Sequence, residues 1–186
     1  MQNSNLLLHV CCAPCSTHVV QELKKNYRVT VYFYNPNIHP EREYSTRLEE
    51  MKRLSKEIGV QLEKCKYDPE VWFDATTGFE EEPEGGARCP ICYRLRLDET
   101  ARLAREKGFD CFATTLTISP HKDAQVINTI GEELVGKHGV SFYPADFKKK
   151  NGFKHSVELS KKHGLYRQDY CGCIYSKKER ERERKK

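Results

Sequence analysis

The sequence predicts an α/β domain, a mostly parallel sheet with helices on both faces and a short C-terminal extension. Short apolar or β-branched runs alternate with segments of helical spacing along the whole chain. The intervening helical segments are long enough to return the chain for parallel pairing. The 186 residues suit a single domain with a core that needs no staples.

The elements follow in order. LLLHV (6–10) is a short apolar strand ending at a cysteine loop. Residues 16–25 read as a helix with Ser16 as N-cap and Val19, Val20 and Leu23 on one face. VTVYFYNPN (29–37) is β-branched and aromatic and stops at Asn-Pro-Asn, a strand and then a loop. Residues 40–58 carry Tyr44, Leu48, Met51, Leu54 and Ile58 at helical spacing, stopped by Gly59. QLEKCKYD (61–68) alternates as a strand, and the loop EEEPEGGA (80–87) leads to Cys89. A helix over 90–107 ends at Gly108, and CFATTLTIS (111–119) is the next strand. A helix over 121–139, a strand over 140–147, the short helix SVELSKKHG and the segment YCGC complete the chain. In such sheets ligands sit beyond the carboxyl ends of the strands. That edge receives Cys11, Cys12 and Cys15 from one loop and Ser119, Pro120, His121 and Asp123 from another.

Composition narrows the function classes. No run approaches the length of a membrane span, and MQNSNLLLHV has neither the basic nor the apolar stretch of a secretory signal. The expectation is a cytoplasmic protein with no membrane partner. The net charge of +5 permits a nucleic-acid partner without requiring one. Residues 1–176 are expected to form the domain, and the tail KKERERERKK (177–186), with glutamates among its arginines, a solvated helical end.

Nine cysteines are many for a chain of this kind. Seven fall into three groups: Cys11, Cys12 and Cys15; Cys89 and Cys92; Cys171 and Cys173. Cys65 and Cys111 stand apart and read as ordinary buried thiols. Three chemistries compete for the seven. Structural zinc needs four ligands, leaving three thiols over, and the two CxxC pairs are too far apart for a zinc ribbon. Thiol–disulfide exchange suits Cys12 and Cys15 at a helix start but needs at most three thiols. An iron–sulfur centre takes four thiolates, and the remaining three could hold a second metal. Adjacent Cys11 and Cys12 are expected to project in different directions, as, less strictly, are Cys171 and Cys173.

LLLHVCCAPCS, RCPICYRLRL, TTLTISPHKD and YCGCIYS, in this order, resemble the cobalamin-independent epoxyqueuosine reductase QueH family, from residue 6 to about 176. The resemblance implies removal of the epoxide oxygen of epoxyqueuosine at the tRNA wobble position, leaving queuosine. It implies a 4Fe-4S cluster beside a second, mononuclear metal ion, iron rather than zinc, and the fold of the PP-loop (HUP) nucleotide-binding domain. PP-loop enzymes cradle pyrophosphate on Ser-Gly-Gly-x-Asp-Ser after the first strand. CCAPCS stands there in this chain, without glycine, with Pro14 lacking an N–H, and with anionic thiolates. ATP chemistry is therefore not expected.

Epoxide deoxygenation takes two electrons and two protons. The expected cluster ligands are Cys12, Cys89, Cys92 and Cys171, with Cys11, Cys15 and Cys173 at the second metal. His9, His121, Asp123, Asp169 and Tyr170 are the candidate proton donors; hydrogen bonding to the loop or helix capping is the competing role for each. Asp169 could also ligate the second metal. His18, His39, His138, His155 and His163 read as surface or capping residues. The expected partners are tRNA, through its anticodon loop, and an unidentified electron donor. Candidate tRNA contacts are residues 148–154 with Phe147 and Phe153, Arg94 with Arg96, Tyr34 to His39, and Tyr166 with Arg167. The acidic run 80–84 is expected to face away. The rival readings are a PP-loop-like tRNA thiolation enzyme and a zinc-stabilised nucleic-acid-binding module.

Overall fold

The computed structural model describes residues 4–185. Five strands form one parallel sheet: β1 (Ser4–His9), β2 (Tyr27–Phe33), β3 (Gln61–Lys64), β4 (Cys111–Thr114) and β5 (Ser141–Phe142). The helices among the described residues are α1 (Ala13–Leu23), α2 (Glu41–Glu57), α3 (Glu70–Ala75), α4 (Arg88–Glu106), α5 (Ala124–His138), α6 (Gly152–Lys162) and α7 (Ile174–Glu183).

Strand order is β3-β2-β1-β4-β5. The chain winds outward from β1 in one direction and from β4 in the other, so the crevice between the ends of β1 and β4 is the topological switch point. Two apolar layers cover the sheet. Leu6 and Leu8 of β1 pack with Val19, Val20, Leu23, Leu48, Met51 and Leu54 from α1 and α2. Leu7, between them, points the opposite way, toward Leu97, Ala101, Ile127 and Ile130 of α4 and α5. This period-two division buries both faces, each large side chain contributing about 2 kcal/mol.

Several boundaries differ from the sequence expectation. Helix α1 starts at Ala13, not Ser16. Pro14 fits the first turn because its missing N–H has no helical partner to lose. Ser16 then lies inside the helix and donates to the Cys12 carbonyl at 2.8 Å. Strand β2 ends at Phe33, before the turn at Asn-Pro-Asn. Strand β4 ends at Thr114, where Leu116–Ile118 tighten into a 3-10 turn. Strand β5 keeps only two residues of the expected eight, since Pro144 cannot extend the ladder. Strand β3 stops at Lys64 and is followed by α3, a helix too short to announce itself by periodicity. Helix α6 begins at Gly152 rather than Ser156. The charged tail belongs to α7, which begins at the cysteine segment itself; Lys186 lies outside the described residues. No described helix is long and apolar enough to cross a membrane.

Candidate metal centre

The loops after β1 and β4 open at the switch point, and the C-terminal segment closes over them. Cys12 is the N-cap of α1 and Cys15 lies in its first turn. The sulfurs of Cys11, Cys12 and Cys15 all lie within 4.8 Å of one another, Cys11 and Cys12 being 3.8 Å apart. The two neighbours therefore converge, contrary to expectation, because the chain turns from strand to helix between them. A tetrahedron with metal–sulfur bonds of about 2.3 Å has an edge of roughly 3.8 Å. The three thiols could hold one ion and leave its fourth position open.

Cys89 lies in the first turn of α4 and Cys92 at the start of its second, and Cys171 and Cys173 occupy the segment leading into α7, with Cys173 its N-cap. These two sulfurs also converge, at 3.7 Å. All four residues line one small cavity of about 20 Å³. The structure thus divides the thiols three and four. Cys12 sits with Cys11 and Cys15, and Cys173 with Cys171 and Cys92, which differs from the expected partition in exchanging Cys12 and Cys173. Cys111 is buried, Cys65 only half-buried, and both lie outside these groups.

Within each group the thiols share protons unequally. Neighbouring Cys12 and Cys15 stabilise the Cys11 thiolate and hold its pKa well below the ordinary value. Cys12 in turn is pushed up to about 12, chiefly by Cys11, and Cys15 is raised for the same reason. Cys173 brings Cys171 down to about 6, and Cys173 itself is raised. In each group one thiol is thus made more acidic by its neighbours, and completing a metal's ligand set releases protons.

Cations surround this sulfur. Burial opposes the Lys122 ammonium, but Cys171, Cys11 and Cys15 outweigh it and hold its pKa above the ordinary lysine value. Arg96 is only 2% exposed, and its guanidinium reaches the Cys92 carbonyl at 3.3 Å and Asn35 Oδ1 at 3.4 Å. Arg96 is therefore a wall of the thiol cavity and not a surface contact for RNA. Arg94 is exposed and paired with Glu133. Arg47 is buried on α2 and donates to the carbonyls of Cys171 at 3.1 Å and Tyr170 at 3.3 Å. Glu43 fixes it at 2.7 Å.

The candidate proton donors are placed very differently. His9 is buried in β1. Its Nδ1 meets Thr114 Oγ1 at 2.9 Å and its Nε2 the Tyr34 carbonyl at 3.1 Å. The carbonyl fixes the proton on Nε2, and Thr114 donates to Nδ1. Burial, then Arg96, lower its pKa to about 3. Asp123 caps α5, accepting from the Gln125 and Val126 amides. Asp169 is exposed and paired with Arg184. Tyr170 donates its hydroxyl to the His39 carbonyl. His121 is exposed and lines two open cavities that meet at Pro120, His121 and Lys122. The smaller, about 260 Å³, is lined by Cys11, Cys15, Cys171, Asp169 and Tyr170. The larger, about 990 Å³, is lined by Cys89, Tyr93, Lys148 and Lys149.

Other expectations meet corrections. His39 is not a surface residue: it is 6% exposed, stacked on Phe73 at 4.6 Å. Asn35, Asn37 and Ile38 are likewise buried, which leaves Tyr34 half-exposed in that segment. Glu84, at the end of the acidic run, lines both thiol cavities and accepts from Ser176 Oγ at 2.7 Å.

Sequence reasoning missed Lys122, Gln168, Arg47, Arg88 and Trp72. Lys122 stood in plain sight between His121 and Asp123. Arg88 directly precedes Cys89 in RCPIC and Gln168 lies three residues before Cys171, but neither residue type marks a metal site; Arg47 and Trp72 come from segments without cysteines, and nothing local marks them.

The family profile described as epoxyqueuosine reductase QueH matches residues 6–179. Relatives in several bacteria carry that same name. That of Streptococcus pyogenes serotype M1 is 45% identical over 180 residues, covering 94% of this chain and 71% of that protein. That of Dehalococcoides mccartyi is 39% identical over 178 residues, covering 94% and 93%. That of Thermotoga maritima is 36% identical over 178 residues, covering 94% and 91%. Among solved structures, the U34-tRNA thiolase NcsA from Methanococcus maripaludis with its 4Fe-4S cluster superposes with a TM-score of 0.60 at 14% identity, over 95% of this chain and 62% of that one. A predicted subunit of tRNA methyltransferase from Methanocaldococcus jannaschii gives 0.56 at 14% identity, over 86% and 89%. At that identity the likeness is one of fold.

Proposed function

The chain belongs to the epoxyqueuosine reductase QueH family, and on that premise we propose how its seven thiols divide the work of reducing epoxyqueuosine in tRNA to queuosine. The reaction removes the epoxide oxygen and consumes two electrons and two protons. The observation that carries the reading is the convergence of Cys11, Cys12 and Cys15 at the switch point, beside a separate cavity lined by four further cysteines.

By ligand count, Cys89, Cys92, Cys171 and Cys173 are assigned a 4Fe-4S cluster. Cys11, Cys12 and Cys15 are assigned a mononuclear ion, iron by preference, with one position open toward the 260 Å³ cavity. The donor chemistry fits both groups: soft thiols, and buried cations at hand to offset thiolate charge. The cavity these four thiols line holds only about 20 Å³, so a cluster requires its half-buried members, Cys89 and Cys171, to move outward. When bound, the cluster supplies electrons singly and the open metal polarises an oxygen.

The chain's own groups do the rest. The 990 Å³ cavity is wide enough for the modified nucleoside, with Tyr93 offering a ring and Lys148 and Lys149 charges for phosphate. His121, on the wall shared with the smaller cavity, is placed to carry a proton from solvent. Lys122 presents an ammonium between the two thiol groups and holds developing negative charge. His9 orients the β1 end through Thr114 and Tyr34, and Asp123 anchors α5 so that His121 and Lys122 face the cavities. The electron donor and tRNA are the implied partners.

The test is anaerobic reconstitution with iron and sulfide, a count of both per chain, and then incubation of the reduced protein with epoxyqueuosine tRNA. About four sulfides per chain with one iron in excess, and conversion of tRNA epoxyqueuosine to queuosine, is the expected result. A colourless protein that holds one zinc, binds no sulfide and leaves the tRNA unchanged defeats the reading.

A further inference from the structure

The four-cysteine cavity has walls that its thiols do not explain. Trp72, at 0% exposure, and Arg88, at 1%, both line it. Trp72 Nε1 and Arg88 Nη2 are buried without a hydrogen-bond partner among the described residues. The rest of the Arg88 guanidinium is held elsewhere. Its Nη1 donates to the carbonyls of Phe79 and Glu80, at 2.8 and 3.1 Å, and of Glu82. Its guanidinium lies over the Tyr175 ring at 4.6 Å. The carboxylate oxygen nearest to Nη2, Glu179 Oε1, stands at 4.0 Å, beyond hydrogen-bond reach.

A buried donor without an acceptor costs roughly 1–3 kcal/mol, more when charged. Two such donors on one sulfur-lined cavity point to a missing acceptor with at least two sites. Neutral thiols accept hydrogen bonds weakly. Thiolates and sulfides bound to metal are anionic and accept well, and hydrogen bonds to them set the potential of an iron–sulfur centre.

We propose that Trp72 Nε1–H and Arg88 Nη2–H donate to the sulfur atoms of the metal–sulfur group held by Cys89, Cys92, Cys171 and Cys173, and raise its reduction potential. The inference rests on the cluster assignment above. One electron entering the group, from dithionite in the test below, adds negative charge to its sulfurs. Both donors stabilise the reduced state more than the oxidised one. They are positioning residues and touch no substrate.

Trp72 is the chain's single tryptophan, so its emission reports on this cavity alone. In the full-length protein, its fluorescence is followed during anaerobic addition of iron and sulfide. Potentials are then measured by dithionite titration with dye mediators, following the visible band. Emission is expected to be quenched in proportion to iron and sulfide bound. Trp72→Phe keeps the ring and removes the N–H. It is expected to retain the metal count while its reduced-to-oxidised ratio at fixed potential falls about tenfold, or about 59 mV for one electron. Arg88→Lys is expected to move the ratio in the same direction and reads the same quantity if the Phe variant does not fold. Full iron and sulfide binding with unquenched emission and an unmoved potential overturns this inference and leaves the cluster itself standing. Wild-type protein that binds neither iron nor sulfide overturns the cluster assignment, and this inference with it.

Discussion

Gln168 donates from Nε2 to the sulfur of Cys12 across 3.0 Å, joining the C-terminal segment to a loop 156 residues earlier. The bond matters because Cys12 caps α1 with no side-chain bond of its own to the helix. Gln168 therefore orients the sulfur, and its N–H is placed to offset the thiolate charge that metal binding creates. Gln168→Ala is expected to weaken metal binding at the three-thiol group by about tenfold, measured by competition with a chelator using cobalt or zinc. An unchanged affinity would mean that the contact is incidental.

The division of thiols has its own test. Cys12→Ser is expected to remove the iron in excess of sulfide while keeping the visible band, and Cys173→Ser to abolish the band. Parallel iron and sulfide counts decide it. The opposite pattern would restore the partition expected from sequence, with Cys12 on the cluster.

Arg47 holds the Tyr170 and Cys171 carbonyls from the buried side, with Glu43 as its counter-charge. Arg47→Met removes the donor to both carbonyls and leaves Glu43, still largely buried, with only the Tyr166 hydroxyl among the described residues. Breaking a buried pair in this way costs about 3–5 kcal/mol. The expected results are a lower urea midpoint at unchanged slope and faster protease cleavage across 165–173. Cleavage at the wild-type rate would show that the segment is held by other contacts.

His39 gives the fold an acid sensitivity. Burial lowers its pKa from 6.5 to about 4. The unfolded chain binds a proton in that interval and the folded chain does not. Stability from this group is therefore complete above pH 6.5 and is lost as pH falls toward 4, by a few kcal/mol. His39→Gln keeps a polar side chain without the titration. Its stability, read from urea unfolding at pH 7.5, 6 and 5, is expected to fall less steeply with acid than that of the wild type. Parallel slopes would refute the assignment.

The sequence by itself determined the α/β class, because a period of two in the strands and of 3.6 in the helices is written in which residues are apolar. It also determined which seven cysteines belong together, since three tight groupings leave Cys65 and Cys111 visibly outside, and it carried the motifs of the family. Local signals placed helix α2 within a residue at each end. Only the tertiary structure brings Cys12 beside Cys11 and Cys15, and Cys173 beside Cys171 and Cys92. Whether Cys11 and Cys12 diverge depends on the turn between β1 and α1, and Pro14 inside the helix moved that turn three residues earlier than Ser16 suggested. The buried cations were equally illegible. Lys122, Arg96, Arg47 and Arg88 come from three segments, Arg88 and Arg96 sharing helix α4, and charged residues read as surface until the fold brings them to sulfur. Trp72 and Gln168 are the extreme cases, because a donor acquires meaning only when the acceptor, far away in the chain, is folded against it.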